Sequence, residues 1–433
     1  VDRTDPSARP PRLRPTAPLR RAEAAAAATA LPAPRRAPGA GAVLRAVLDH
    51  GPVARSTVAR LTGLSPASVT GHCARLLDRG LIRQAPETAG PRGLGRPHVP
   101  MEIEQDGPLA AGAHIGVACS TLSLTDLRGR VVGQERLPHP PAPGRTPERV
   151  LGPLAAHIPE FVDRHADGRR VTALGVATGY RVDPAAGVVL DHPLLGWQDV
   201  PVRARLEAAS GLPVEVDSHV RALTRAEQLF GEPAVRTAAR ASAVVLFVGA
   251  VVDAAFSTGG AVHEGPRAGS GGVAHLPVGV ERGETPMRCV CGGYGCLSAE
   301  ASERAMLGRA AAAGLPVPSF RALLDAALAG ELRALALFVR RARLAGRAAA
   351  LLVDLFDPAV LVVVEPGSCR LPRCLGALRR EAARCSRSLG TADAQRVVVP
   401  SSFPRSVLAT AGSAVALHAL YTDPLEQFPN NRT

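Results

Sequence analysis

The 433-residue chain is 46% hydrophobic and 21% charged, enough apolar content for two or three globular units and too much for a wholly disordered chain. No uninterrupted apolar run of about 18 residues occurs, and Ala24–Ala28 are flanked by Arg and Pro without a signal-peptide pattern, so a cytoplasmic protein with no membrane partner is expected. The net charge is +13 and every basic side chain is Arg; the first 100 residues hold 16 arginines against six acidic residues, which places ten of those charges at the N-terminal end. Such asymmetry suits a polyanionic partner, because neutralising phosphates releases condensed counterions. A solvated tail explains Arg3 to Arg36 equally well. Eight cysteines, five of them isolated (Cys73, Cys119, Cys369, Cys374 and Cys385), do not make an extracellular disulfide framework in a chain this long and read as reduced core residues.

Residues 1–37 are rich in Arg, Pro and Ala with almost no apolar periodicity, so disorder is expected there. From Gly41 the pattern changes: Val43, Leu44, Val47 and Leu48 fall at helical spacing and stop at Gly51. A short helix over about Arg55–Thr62 follows, then "TGLSPASV" turns into a third, with Ser65 as N-cap and Pro66 at its first position. Two helices joined by a short turn containing Gly63 form a helix-turn-helix pattern within residues 38–103. The start of the third helix would present Ser65, Pro66, Ala67, Ser68, Thr70, Gly71 and His72 to the bases of double-stranded DNA, with Arg55 and Arg75 on phosphates. "TAGPRGLGRPHV" then supplies a Gly-rich wing bearing Arg92 and Arg96. A three-helix unit for protein contacts is the alternative reading.

After Glu104–Pro108 strands and helices alternate. "LAAGAHIGVACSTLSLTDLRGRVVGQERLP" reads as three strands with a turn at Arg128 and Gly129, and "ERVLGPLAAHIPEFVDRHA" as an amphipathic helix. A strand, a hairpin and a helix–strand–helix segment lead to about residue 230. "ASAVVLFVGAVVDAAFSTGGAVHEG" restarts with paired strands, and "RRARLAGRAAALLVDLFDPAVLVVVEPG" gives helix then strand. Strands first and helices afterwards, done twice, imply an α/β body of two similar lobes, 108–230 and 231–420, with a cleft between them and a tail from 421 to 433.

A helix-turn-helix followed by such a body, with "GVVLDHPLLGW", "GGVAHLPVG" and "CVCGGYGCL", resembles the ROK family of sugar-responsive repressors and sugar kinases. The resemblance implies a two-lobed actin-like ATPase (ribonuclease H-like) body behind a winged helix-turn-helix, assembled as a homodimer or homotetramer. It also implies a metal site of His275, Cys289, Cys291 and Cys296. One imidazole and three thiolates are the donor set of a closed, structural Zn2+ site, whereas a Cys289–Cys291 disulfide would strain the backbone and leave Cys296 unpaired.

The kinases of this family need Gly-rich phosphate loops and a carboxylate base. Here "HIGVA" puts His114, Val117 and Ala118 where Asp, Gly and Thr are expected. "FVGAVVDAAF" offers only Gly249 in the second loop, and "VLVVVEPG" puts Val363 and Val364 in a third. The family's Asn-Asp pair falls on Ser218 and His219. Sugar contacts are also lost at Leu194, Gly272 and Ser298, while Gly179, Asp191, Ser218, His219 and His275 can still line a polar cleft for a sugar or another small-molecule effector. The expected function is a DNA-binding transcriptional regulator, a repressor by the family's commoner mode, without catalytic residues. A sugar kinase carrying an extra module and an inert oligomeric scaffold are the other readings.

Overall fold

The computed structural model describes residues 39–85 and 99–427, and all of these belong to one unit. The Arg/Pro/Ala-rich segment, the wing arginines Arg92 and Arg96, and the last six residues lie outside the described residues.

The first helices are α1 (Gly39–His50), α2 (Arg55–Thr62) and α3 (Pro66–Asp78). Val43, Leu44 and Val47 of α1, Val58 of α2, and Val69, Cys73 and Leu76 of α3 are all buried against one another, as their helical spacing predicts. Gly63 makes the turn between α2 and α3 with φ 69°, and the Ser65 hydroxyl accepts a hydrogen bond from the Ser68 amide (3.1 Å) to cap α3. Strands β1 (Ile82–Gln84) and β2 (Met101–Ile103) pair antiparallel on either side of residues 86–98, with Ile82 opposite Ile103.

Lobe 1 follows with β3 (Leu109–Ile115), β4 (Cys119–Thr125), β5 (Val131–Pro138), α4 (Pro147–His165), β6 (Val171–Thr178), β7 (Arg181–Asp183), β8 (Val188–His192), β9 (Trp197–Val200), α5 (Val202–Ser210), β10 (Val214–Ser218) and α6 (His219–Phe230). Its sheet runs β10-β6-β3-β4-β5, antiparallel across β3, β4 and β5 and parallel across β3, β6 and β10; β7, β8 and β9 form a small sheet of their own. Helix α4 contains Pro153 and Pro159, both on its exposed face, where water can satisfy the carbonyls that lose a helical donor.

Lobe 2 comprises α7 (Pro233–Ala241), β11 (Ser242–Val248), β12 (Val252–Thr258), β13 (Ala261–Val262), α8 (Leu297–Ala301), α9 (Glu303–Ala312), α10 (Phe320–Leu328), α11 (Leu332–Phe356), β14 (Val360–Val364), α12 (Pro366–Arg370), α13 (Pro372–Cys385), α14 (Thr391–Val397) and β15 (Val398–Pro400). Its sheet, β13-β12-β11-β14-β15, repeats the order and strand directions of β5-β4-β3-β6-β10. The duplicated lobes expected from the pattern are therefore present.

The last helix, α15 (Val407–Thr422), departs from the expected boundaries. It crosses back and packs on the lobe 1 sheet, so it is part of lobe 1 and not of a continuous 231–420 lobe. It also runs past residue 420: Tyr421 is fully buried and its hydroxyl donates to the Leu127 carbonyl (2.6 Å), which a tail would not do. Three glycines permit the seating. A Cβ on Gly112 would meet the Ser413 amide at 2.3 Å, and one on Gly175 would meet the Gly412 carbonyl oxygen at 2.3 Å. Leu417, Leu420 and Tyr421 then join Val43, Leu44, Leu76 and Met101 in one hydrophobic cluster, so the N-terminal helices and lobe 1 share a core. Of the five isolated cysteines, Cys73 and Cys374 are buried and Cys119 and Cys369 partly so, but Cys385 ends α13 exposed and is not a core residue.

Candidate functional site

Helix α3 turns its apolar side into the shared core and leaves Ser65, Pro66, Ala67, Ser68, Thr70, Gly71 and Arg75 exposed. The Thr70 hydroxyl donates to the Pro66 carbonyl (2.9 Å), so the first turn presents short side chains and no bulky obstruction. Two expected contacts are placed differently. His72 is half-buried against the start of α1, where a Cβ on Gly39 would lie 2.5 Å from its Nε2, and burial followed by the Arg75 charge lowers its pKa. Arg55 is half-buried with its Nε enclosed beside Cys73, so only part of its guanidinium reaches solvent.

A second constellation lies in lobe 2. His275, Cys289, Cys291 and Cys296 offer one donor atom each, all within 4.8 Å of one another. The His275 Nδ1 and Cys289 Sγ approach to 3.2 Å and the Cys291 and Cys296 sulfurs to 3.7 Å, with no disulfide between them. Gly292 and Gly295, at φ 87° and 70°, make the tight turns that a loop must make to converge three thiols, and the Cys289 amide donates to the Gly293 carbonyl (2.8 Å) across it. Burial and its sulfur neighbours push the Cys296 thiol up to about 12, a penalty that a divalent cation would remove. Beneath the loop, the buried Glu300 carboxylate accepts from the Met287 amide (2.6 Å) and the Arg340 guanidinium (2.8 Å), fixing the knuckle to α8 and α11. The donor set and its spacing therefore fit a metal ion.

The third site is the cleft between the lobes. His114 near the end of β3 and His219 at the start of α6 stack with 4° between their planes, and His114 Nε2 lies 3.3 Å from His219 Nδ1. Phe247 of β11 rests against His219 (centroids 4.2 Å apart), while His219 Nε2 lies 3.5 Å from the Asp253 carboxylate of β12. His192 ends β8 against the Tyr180 ring. Burial, and then the neighbouring His219, hold His114 well below its ordinary pKa; burial brings His192 to about 4 and raises Tyr180 to about 12. A cavity of about 130 Å³ opens here, and an adjoining one of about 110 Å³ shares Phe247, Glu303 and Leu408 with it.

Of the residues expected to line an effector cleft, Gly179 and His219 are in the cavity wall; Asp191, Ser218 and His275 are not. Ser218 instead caps α6, its hydroxyl accepting from the Arg221 amide (3.4 Å), and Asp191 lies in the small sheet opposite Arg181. Asp217, the neighbouring carboxylate, is fully buried and ion-paired with Arg221 (2.6 Å) and Arg225. His192, Phe247, Glu303 and Leu408 were not marked in the sequence, because they come from four separate elements and carry no motif.

Behind the β11–β12 turn, Arg341 of α11 is wholly buried. Its guanidinium donates to Glu365 (2.9 Å), the Val248 carbonyl (2.8 Å) and the Ala301 carbonyl (2.7 Å). Glu365 in turn accepts from the Gly367 and Ser368 amides (2.9 and 2.6 Å). A carboxylate thus occupies the amides at the end of β14, and Val251 in the β11–β12 turn presses on Gly179, where a Cβ would lie 2.9 Å from it.

Residues 110–402 match the ROK family and residues 37–92 the MarR family. The chain is 34% identical over 403 residues to the transcriptional regulator Rv0485 of Mycobacterium tuberculosis (strain ATCC 25618 / H37Rv), covering 89% of this chain and 86% of the relative. It is 31% identical over 352 residues to the DNA-binding transcriptional repressor Mlc of Escherichia coli (strain K12), covering 76% and 80%. Among solved structures, a ROK family transcriptional regulator, homolog of the E. coli MLC protein, superposes with TM-score 0.69 at 25% identity, covering 88% of this chain and 96% of that one. A ROK family glucokinase from Streptomyces griseus shares the fold of the body (TM-score 0.58, 24% identity, 71% and 98% covered). Matched along most of its length by family and relatives alike, the chain belongs to the ROK family and carries a MarR-type winged helix at its N-terminal end.

Proposed function

We propose that this chain is a transcriptional regulator, a repressor in its mode, that binds operator DNA through α3 and whose body is not an enzyme. The observation that carries the reading is the exposed, capped start of α3 on a unit whose core is continuous with lobe 1. A helix so anchored presents its first turn rigidly to a major groove. The relatives named as regulators support it. As a homodimer or homotetramer the chain would set two such helices on successive half-sites.

Against phosphoryl transfer stand four features. His219 occupies the place of the base, Asp217 is tied to two arginines, Val251 fills the second loop, and Glu365 covers the amides after β14. A buried carboxylate on those amides repels a phosphate. The His275/Cys289/Cys291/Cys296 group would hold Zn2+ as a closed structural site, because four protein donors leave no position for a reacting water.

The test is footprinting of the purified protein on its own upstream DNA, followed by a salt titration of the complex. Arg75→Ala should reduce the slope of log K against log salt by about one unit, and Arg92→Ala with Arg96→Ala by about two. No protected sequence, together with ATP turnover on any hexose, would replace this reading with the kinase.

A further inference from the structure

The interlobe cleft is lined for a different kind of molecule than a sugar or a nucleotide. Its floor is three imidazoles, His114, His192 and His219, each at most 5% exposed. His114 Nδ1 and both nitrogens of His192 have no hydrogen-bond partner, and His219 Nε2 has only the distant Asp253. Buried polar atoms of this kind are almost always satisfied, and the cavity is the open side of all three rings. The remaining walls are mostly carbon: Phe247, Val251 and Leu408 close the first chamber, where the exposed Arg136 and the Glu303 carboxyl are the charged groups, and Val364, Phe403 and Val407 continue the second beside Glu365 and Ser401.

Three physical limits define the occupant. A hexose takes five or more hydroxyls out of water on all sides of its ring, and the polar partners here are gathered at the imidazole floor, with mostly carbon opposite. An anionic head would be buried beside the Glu303 carboxyl, which faces both chambers and is raised in pKa by burial; Arg136, the exposed cation of the first chamber, already acts on that carboxyl and leaves no unopposed positive charge. The recessed space suits a group the size of one ring, since a cavity of about 150 Å³ lined by Leu, Ile and Phe holds one benzene and the two chambers here, each open to solvent on one side, are about 130 and 110 Å³. Neutral imidazoles can donate from one nitrogen and accept at the other, which suits a hydroxyl or carbonyl oxygen.

We propose that the cleft binds an uncharged amphipathic small molecule, its hydroxyl or carbonyl head among His114, His192 and His219 and its apolar body, about one six-membered ring in size, against Phe247, Val251 and Leu408. The proposal deepens the regulator reading by naming the effector's chemistry, but binding itself does not depend on DNA. Leu408 lies on the first turn of α15, and the far end of the same helix packs in the core of the DNA-binding unit, so occupancy has a continuous path to α3.

The probes are benzyl alcohol and 4-methylphenol, with glucose and ATP as comparisons, added to the full chain and followed by calorimetry and by the imidazole C–H resonances. The expected result is saturable binding of at least one aromatic alcohol with shifts at the three histidines, and none for glucose or ATP. Leu408→Trp, which fills the shared wall, should weaken that binding by about tenfold or more, equal to 1.4 kcal/mol; Val251→Phe is the second filling variant should the first misfold. Absence of saturable binding by either aromatic probe, binding indifferent to both filled variants, or preferential binding of glucose overturns the proposal. Footprinting of the unliganded protein, run in parallel, reports on the regulator reading separately: DNA binding without probe binding removes only the effector class.

Discussion

Arg240 of α7 grips Asp49 near the end of α1 with two hydrogen bonds, Nη1 to Oδ2 at 2.6 Å and Nη2 to Oδ1 at 3.0 Å. Arg236, one turn earlier, adds a longer contact at 3.7 Å. A bidentate guanidinium–carboxylate pair is the most directional polar contact a protein makes, and this one ties the N-terminal helices to the start of lobe 2. Asp49→Ala should cost about 1–2 kcal/mol in urea unfolding and speed amide exchange in α1 more than in α15. Equal exchange in both helices would mean the shared core alone fixes the docking.

Glycine substitutions separate the two kinds of glycine in the chain. Gly175→Ala sets a methyl 2.3 Å from the Gly412 carbonyl oxygen and 2.6 Å from the Ala416 amide, both backbone atoms of α15, so the helix must lift from the sheet. Overpacking of this kind costs about 1–3 kcal/mol or more. Gly71→Ala meets nothing within 4 Å on an exposed helix and should stabilise by roughly 0.5–1 kcal/mol. Thermal melts of the two variants moving in the same direction would contradict the seating of α15.

Much of this architecture was legible. The Ser65-Pro66 start of α3, the Gly63 turn and the two runs of strands rest on local chemistry, and the structure places them where that chemistry does. The Cys-x-Cys-x4-Cys spacing with Gly292 and Gly295 named the knuckle, because convergence within one loop is a local property, and even the distant His275 was reachable through family resemblance. What stayed hidden depends on long-range placement. The return of α15 to lobe 1 is carried by Gly112 and Gly175 on strands nearly 240 residues or more before Gly412, and neither strand advertises a helix above it. His192 and Leu408 line one cavity only because α15 returns to lobe 1, and the inward turn of His72 depends on where α1 begins.

If the His275/Cys289/Cys291/Cys296 group holds Zn2+ as proposed, chelation should loosen the knuckle without unfolding the sheets. Protein purified without chelator is expected to carry one Zn2+ per chain by atomic absorption, lost in Cys291→Ser and retained in Cys385→Ser, whose thiol is exposed and not part of the donor set. A closed structural site contributes directly to folding free energy, so the Cys291→Ser melt should fall by several degrees. Zinc content that tracks Cys385 rather than Cys291, or chelation that leaves the melt unmoved, would refute the assignment.

Acid should destabilise the protein partly through its cleft. His192 is held at about 4 in the fold by burial, whereas an exposed imidazole titrates near 6.5. Its folded pKa being the lower, the unfolded chain binds the extra proton: the contribution is complete above about pH 6.5 and is lost as pH falls from there toward 4. Within that window each unit of pH removes up to about 1.4 kcal/mol for this one group. His114 acts in the same sense, its burial reinforced by His219, His192 and Arg136, with Asp253 facing His219 behind it. His192→Asn keeps a polar side chain but cannot take up the proton, so its stability should fall less steeply than that of the wild type between pH 6.5 and 4, with the two curves parallel above pH 7. Parallel curves throughout would show that His192 takes up its proton as readily in the native cleft as in the unfolded chain, and the burial-lowered value assigned to it would then be wrong.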